Sequence, residues 1–209
     1  MKKLTSLSAA AVTALVVGLG FATTGNAQTS MSSPMSDQEY CHVLADPTTR
    51  SDTATRFTWI EEALCETASL FALRSMAKEW ESNPPYPSWR EYSSRLAEYE
   101  AEHVSHRMRS LPLGARFAEW FGDRHPLLEA DPYRRDDNTV IAKELLPIFE
   151  TRRAAWRAAR PLHSSPGSSE GSLAGFMSGW GGRCSERDRQ TVESIARIIG
   201  AGKGPEKLT

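Results

Sequence analysis

The stretch from Trp59 to about Ser82 constrains the fold most. Thr58 is followed three residues later by Glu61, the spacing of a capping box at a helix start. Ile60, Leu64, Phe71, Met76 and Trp80 are apolar, with Ala63, Ala68, Ala72 and Ala77 among them. Apolar residues thus lie most of the way round, which predicts a helix buried on nearly all sides and central to the core. Pro84-Pro85-Tyr86-Pro87 then breaks the chain. No segment alternates polar and apolar residues over five or more positions, so strands are not expected. The chain reads as all-α, a single helical domain built around this helix.

The other elements follow from breaks and periodicity. Ser36 and Glu39 have capping-box spacing, so a short helix should start near Asp37 and end at Asp46-Pro47. Trp89, Tyr92, Leu96, Tyr99 and His103 recur at three- and four-residue steps, an amphipathic helix running to about Arg109. A short helix should end at Phe121-Gly122, with His125-Pro126 and Asp131-Pro132 as further breaks. Asp136-Asp137 can cap a helix carrying Val140, Ile141, Leu145 and Leu146, which Pro147 should kink or interrupt before Ile148, Phe149 and Trp156 resume it. Pro161 to Ser172 is Ser/Gly/Pro-rich and reads as an exposed loop. Ser172 to Trp180 should be helical, with Gly179-Trp180-Gly181-Gly182 a turn. Ser185 caps a last helix with Val192, Ile195, Ile198 and Ile199, stopped by Gly200.

The N-terminus has the pattern of a secretory leader: Lys2 and Lys3, an apolar run from Ala9 to Phe21, then Gly25-Asn26-Ala27. Cleavage after Ala27 is expected, giving a periplasmic or secreted protein with no stable membrane anchor. Residues 28–35 form a polar segment expected to be mobile, 36–200 the helical domain and 201–209 a mobile tail. Removing Lys2 and Lys3 from the 25 basic residues leaves 23 against 26 acidic ones. A mildly acidic chain with interspersed charges gives no footprint for nucleic acid.

The polar residues that stand out lie early. Gln38-Glu39-Tyr40-Cys41-His42 places a carboxylate three residues before a histidine, on one helix face. Glu62, in Thr58-Trp59-Ile60-Glu61-Glu62, follows His42 by 20 residues. Over about residues 36–69 this resembles the gluzincin-type zinc metallopeptidases, whose H-E-x-x-H is followed about twenty residues on by a ligating Glu. The resemblance implies Glu39 as general base and His42 and Glu62 as zinc ligands. Gln38 stands at the first ligand position, where the family has histidine, and an amide oxygen is a poor zinc ligand. Only about ten residues separate Ala27 from Gln38, so the family's preceding β-sheet has no counterpart. The implied protein is a truncated peptidase relative that is inactive or metal-poor, binding zinc weakly or not at all.

Read without the resemblance, Glu39 caps a helix, His42 packs at its end, and Glu61 and Glu62 favour a helix N-terminus. The protein is then a periplasmic helical binding or interaction protein with no catalytic activity, its partner a peptide or a component of the cell envelope. Trp89, Tyr92 and Tyr99, on one helix face, can line a groove for a peptide or glycan. Glu100-Ala101-Glu102-His103 repeats the Glu-x-x-His spacing, and with Glu62 or Glu66 and Glu144 it invites comparison with di-iron helical bundles. His103 also continues an apolar stripe, where a satisfied core residue is expected. Six tryptophans in a helical chain are expected mostly in the core. Cys41, Cys65 and Cys184 permit one disulfide. Cys65–Cys184, which ties the last helix to the early core, is the expected pair.

Overall fold

A computed structural model of the chain describes residues 56–162 and 171–202. Six α-helices and three 3₁₀ segments follow one another there, with no strand among the described residues. The helix expected at the centre is α1, Thr58–Trp80. Leu64 and Leu70 are fully buried, and Trp59, Ile60, Ala63, Phe71, Leu73, Ala77 and Trp80 join them in the core. Burial of this order, at about 25 cal/mol per Å² of apolar surface, drives the assembly. Thr58 lies inside the helix rather than before it. Phe57 occupies the cap position, with no side-chain cap bond, and its ring packs 4.9 Å from that of Phe176. Aromatic packing at the helix entry has replaced the expected capping box.

After the proline-rich break come the 3₁₀ turn Pro87–Trp89 and then α2, Tyr92–Ser105. A second 3₁₀ turn, Arg107–Arg109, leads towards α3, Phe117–Ala130, and α4, Arg135–Thr151. Helix α1 packs chiefly along α2 and α4. Neither proline interrupts its helix: α3 runs through Pro126 and α4 through Pro147. Each ring sits on an exposed face, where water can serve the carbonyl that loses its backbone donor.

The C-terminal part is a smaller layer. A 3₁₀ segment, Arg153–Leu162, follows α4 and buries Ala155, Trp156, Ala158, Ala159 and Leu162. The Trp156 ring stacks on Phe149 at 3.8 Å and meets Phe71 edge-on at 5.7 Å. Helices α5, Leu173–Arg183, and α6, Glu186–Ile198, pack together. Ser185 caps α6 as expected and Ser172 caps α5, their hydroxyls accepting from the amides of Asp188 and Gly175. Gly200, at φ +72°, ends α6. The Gly179-Trp180-Gly181-Gly182 stretch is helical, not a turn. A Cβ on Gly181 would lie 3.7 Å from Val192 Cγ1, so the glycine marks close approach of α5 to α6. Trp59, Trp80, Trp120, Trp156 and Trp180 are buried and only Trp89 is partly exposed, as a tryptophan-rich core requires. No helix among the described residues is long and apolar enough to cross a membrane.

The expected Cys65–Cys184 disulfide is not formed. Cys65 is on a half-buried face of α1, where its carbonyl accepts from Ser69 Oγ. Cys184 is held at the end of α5, its thiol turned toward the Ala158 carbonyl at 3.8 Å. Helix α5 finds its main neighbours in α6 and the 3₁₀ segment. A thiol so placed is not aimed at α1, and disulfide geometry leaves little tolerance.

Candidate functional site

Two polar clamps fasten α2 to the helices beneath it. The first centres on Glu66, a carboxylate on the buried face of α1, 4 % exposed. His103 Nε2 of α2 lies 2.5 Å from Glu66 Oε1. On the other side of the ring, Arg109 Nη1 lies 2.6 Å from His103 Nδ1, and Arg109 Nε donates to Asp136 of α4 at 2.8 Å. A guanidinium only donates, so Nδ1 must accept and the imidazole proton sits on Nε2, donated to Glu66. The chain Asp136–Arg109–His103–Glu66 therefore has one internally consistent set of proton positions. Thr139 Oγ1 of α4 lies 2.9 Å from both Glu66 Oε1 and the Arg135 carbonyl, and its one proton serves either.

Burial pushes the Glu66 carboxyl up, but the hydrogen bond from His103 opposes this. With Thr139 and the Arg135 guanidinium it holds the carboxyl below its ordinary value of 4.5. Lys143 completes the arrangement, its ammonium donating to the carbonyls of Val104 and Arg109 at 3.1 and 3.0 Å. The Val104 carbonyl lies in the last turn of α2, so the cation satisfies an acceptor that the helix leaves open, and the Arg109 carbonyl ends the 3₁₀ turn that follows.

The second clamp is Arg74 of α1, which donates to Glu100 of α2 at 2.9 Å and Glu150 of α4 at 3.0 Å. Together the clamps fix the rotation of α2, whose own buried surface is small; Glu100 is its one buried residue. That rotation sets which residues face outward at the start of α2. There the rings form a contiguous cluster: Trp80–Trp89 at 5.4 Å, Tyr86–Trp89 at 5.0 Å and Trp89–Tyr92 at 6.3 Å. Trp80 is buried behind the others, while Tyr86 is 57 % exposed and Tyr92 55 %. Tyr99, farther along, stacks on the His103 ring at 6.3 Å. Pro84, Pro85 and Pro87 restrict the backbone that carries these rings.

Successive rings stand at 43°, 65° and 68° to one another. They therefore form ridges and notches rather than one flat platform. Such a surface suits an extended chain whose alternate side chains drop between rings.

The residues singled out from sequence are distributed differently. Gln38, Glu39, His42 and Cys41 lie outside the described residues. Glu62 is half-buried near the start of α1, one helical turn before Glu66. The alternative carboxylate Glu66 does meet His103, but as a hydrogen-bonded pair. Among the described residues no group of three or more His, Cys, Asp or Glu side chains is placed to hold a metal ion. Glu100, the other half of that Glu-x-x-His, is occupied by Arg74.

His125, which the sequence offers only as part of a His-Pro break in a polar setting without an obvious partner, does have partners in the fold. Its ring is stacked on Phe121 at 5.3 Å and meets Trp59 edge-on at 5.7 Å. Nε2 lies 3.1 Å from Glu129 Oε1 without the alignment of a hydrogen bond. Burial lowers its basicity, partly opposed by Glu129 and assisted by Arg56. The signal available was a Trp59-Phe121-His125 aromatic set, visible only once α1 and α3 are packed together. No protein-family model matches the chain, and neither a curated protein nor a solved structure is similar to it.

Proposed function

We propose that the chain is a helical binding protein that recognises an extended, proline-rich or aromatic-poor peptide segment on its Tyr86–Trp89–Tyr92 face, without catalysis of its own. The observation that carries this reading is the aromatic cluster itself. Two tyrosines more than half exposed, flanking a partly buried tryptophan on a proline-restricted turn, supply large contact area that is already ordered. Ordered aromatic anchors lose little side-chain entropy on binding and dominate interface energetics. The clamps on α2 support it, since they hold the face in one orientation. The leader-like N-terminal segment would place such a protein outside the cytoplasm, among peptides and cell-envelope components.

Titration with a proline-rich decapeptide and with a neutral hexasaccharide, followed by nuclear magnetic resonance, tests it. Peptide binding is expected, with shifts centred on residues 80–99, weakened at least tenfold by Trp89→Ala and by Tyr92→Ala. Tyr92 is exposed, so its loss leaves the fold intact and serves as the cleaner variant. Glycan binding lost in both variants would move the ligand class from peptide to sugar. Stoichiometric zinc and peptidase activity abolished by Glu39→Gln would replace the reading altogether.

A further inference from the structure

The grip of Arg109 on His103 depends on the proton count of one ring. Arg109 Nη1 carries two N–H groups, and His103 offers an acceptor to each, Nδ1 at 2.6 Å and its backbone carbonyl at 3.2 Å. On the far side of the ring Nε2 is committed to Glu66 at 2.5 Å. A neutral imidazole has one donor and one acceptor nitrogen, and this arrangement uses both. A second proton has one place to go, Nδ1. There it would point at Arg109 Nη1, setting donor against donor and cation against cation across 2.6 Å. The grip and the second proton therefore exclude each other.

The surroundings decide which partner gives way. From α1, the buried Glu66 carboxylate faces Nε2 and favours the charged ring. It is also close to Thr139 Oγ1 of α4 and has no room to withdraw. Arg109 is freer: its side chain is 19 % exposed, and that of its outer partner Asp136, on α4, 42 %. Also from α4, the Arg135 guanidinium acts on Glu66 by charge, while the Lys143 ammonium holds the Val104 and Arg109 carbonyls. On α2 itself Tyr99 stacks on the ring, and Glu100 is taken up by Arg74. Arg109 is thus the cation that can leave, and its exit leads past Asp136 to solvent.

We infer that His103 is an acid-operated latch at the end of α2, in which protonation of Nδ1 expels the Arg109 guanidinium while the bond to Glu66 holds. The proton comes from solvent, and no covalent bond other than N–H forms. With the latch closed, Asp136 of α4 is tied to α2 through Arg109. With it open, Arg109 stays with Asp136 and water, and that tie ends. Lys143 keeps the backbone of the 3₁₀ turn in place, so the change is a release of one side chain. The latch does not depend on what the aromatic face binds.

Nuclear magnetic resonance of the ring nitrogens and of the Arg109 guanidinium, on the full chain from about pH 8 to about pH 5, tests it across the ordinary histidine range. At the alkaline end Nε2 should carry the proton and Nδ1 should be bare. As the ring gains its second proton, contacts between Arg109 and the imidazole should vanish with the same midpoint, and the Tyr99 ring signals should shift with them. Arg109→Met removes the competing cation and should raise the proton affinity of His103 by about tenfold or more. Arg109→Gln is the milder variant, since its amide can donate to a bare Nδ1 or accept from a protonated one. It should raise the affinity in the same direction and keep its contact with the ring throughout. A proton on Nδ1 at the alkaline end, or a ring that stays neutral down to about pH 5, overturns the latch. So do Arg109 contacts that persist through the titration, or an affinity unchanged in both variants.

Discussion

Replacing His103 with alanine tests the buried chain of charges directly. The imidazole stands between Glu66 and Arg109, 2.5 and 2.6 Å from them, and the Glu66 side chain is only 5 % exposed. Without His103 the carboxylate keeps the Thr139 hydroxyl as its one close donor, shared with the Arg135 carbonyl. Stranding a buried charge in this way costs about 3 kcal/mol. For a domain of this size that corresponds to a fall in melting temperature of about 6–12 °C. Urea unfolding followed by tryptophan fluorescence measures it. Glu66→Gln keeps an acceptor for His103 but removes the charge, so His103→Ala in that background should cost about 1–2 kcal/mol less. The acid limb carries the same signature. Glu66 titrates below its ordinary 4.5 in the folded protein, so its contribution is complete above 4.5 and is lost as pH falls through the folded value. Glu66→Gln should flatten that limb. If His103→Ala costs under about 1 kcal/mol, or if the two substitutions are additive, the clamp carries no such energy.

Two further outcomes follow from titratable side chains elsewhere. The fold lowers the basicity of His125, so the unfolded chain takes up a proton first as pH falls through 6.5; stability should decline below that value, and His125→Phe should remove the decline in melts between pH 7 and 5. Burial, reinforced by Asp188, pushes the Cys184 thiol up, so it should resist a thiol-reactive disulfide reagent until the protein unfolds, and peptide mapping without reductant should show no Cys65–Cys184 link.

The central helix and the all-α class were readable because a long apolar run between a cap signal and a proline cluster leaves few alternatives. The cap at Ser185 and the stop at Gly200 were readable for a related reason: each is a local hydrogen-bond or dihedral requirement written in one residue. What failed depended on the environment of a residue. Pro126 and Pro147 break a helix only if the freed carbonyl has no water, and their exposure is a property of packing. The run after Pro147 was read as resumed α-helix because Ile148, Phe149 and Trp156 fit that period; the first two do lie in α4, yet Trp156 falls in Arg153–Leu162, which winds three to a turn. Cys65 and Cys184 are paired by arithmetic but separated by topology. Glu66 was visible as a carboxylate on an apolar helix. Its partners, 37 and 73 residues away, were not.

The positions of the clamps explain why α2 can carry an exposed aromatic face at all. Helix α2 has Glu100 as its one buried residue, so apolar burial alone would leave its rotation poorly determined. Arg74 reaches from α1 to both Glu100 and Glu150, and Arg109 ties the far end to Asp136. Charged hydrogen bonds are directional where apolar contact is not, so they specify one orientation. That releases Tyr92 from serving as core, and its ring remains outside beside Trp89 and Tyr86 of the preceding turn. A helix held by its own apolar stripe would have had to bury that ring; a helix held by ion pairs can present it.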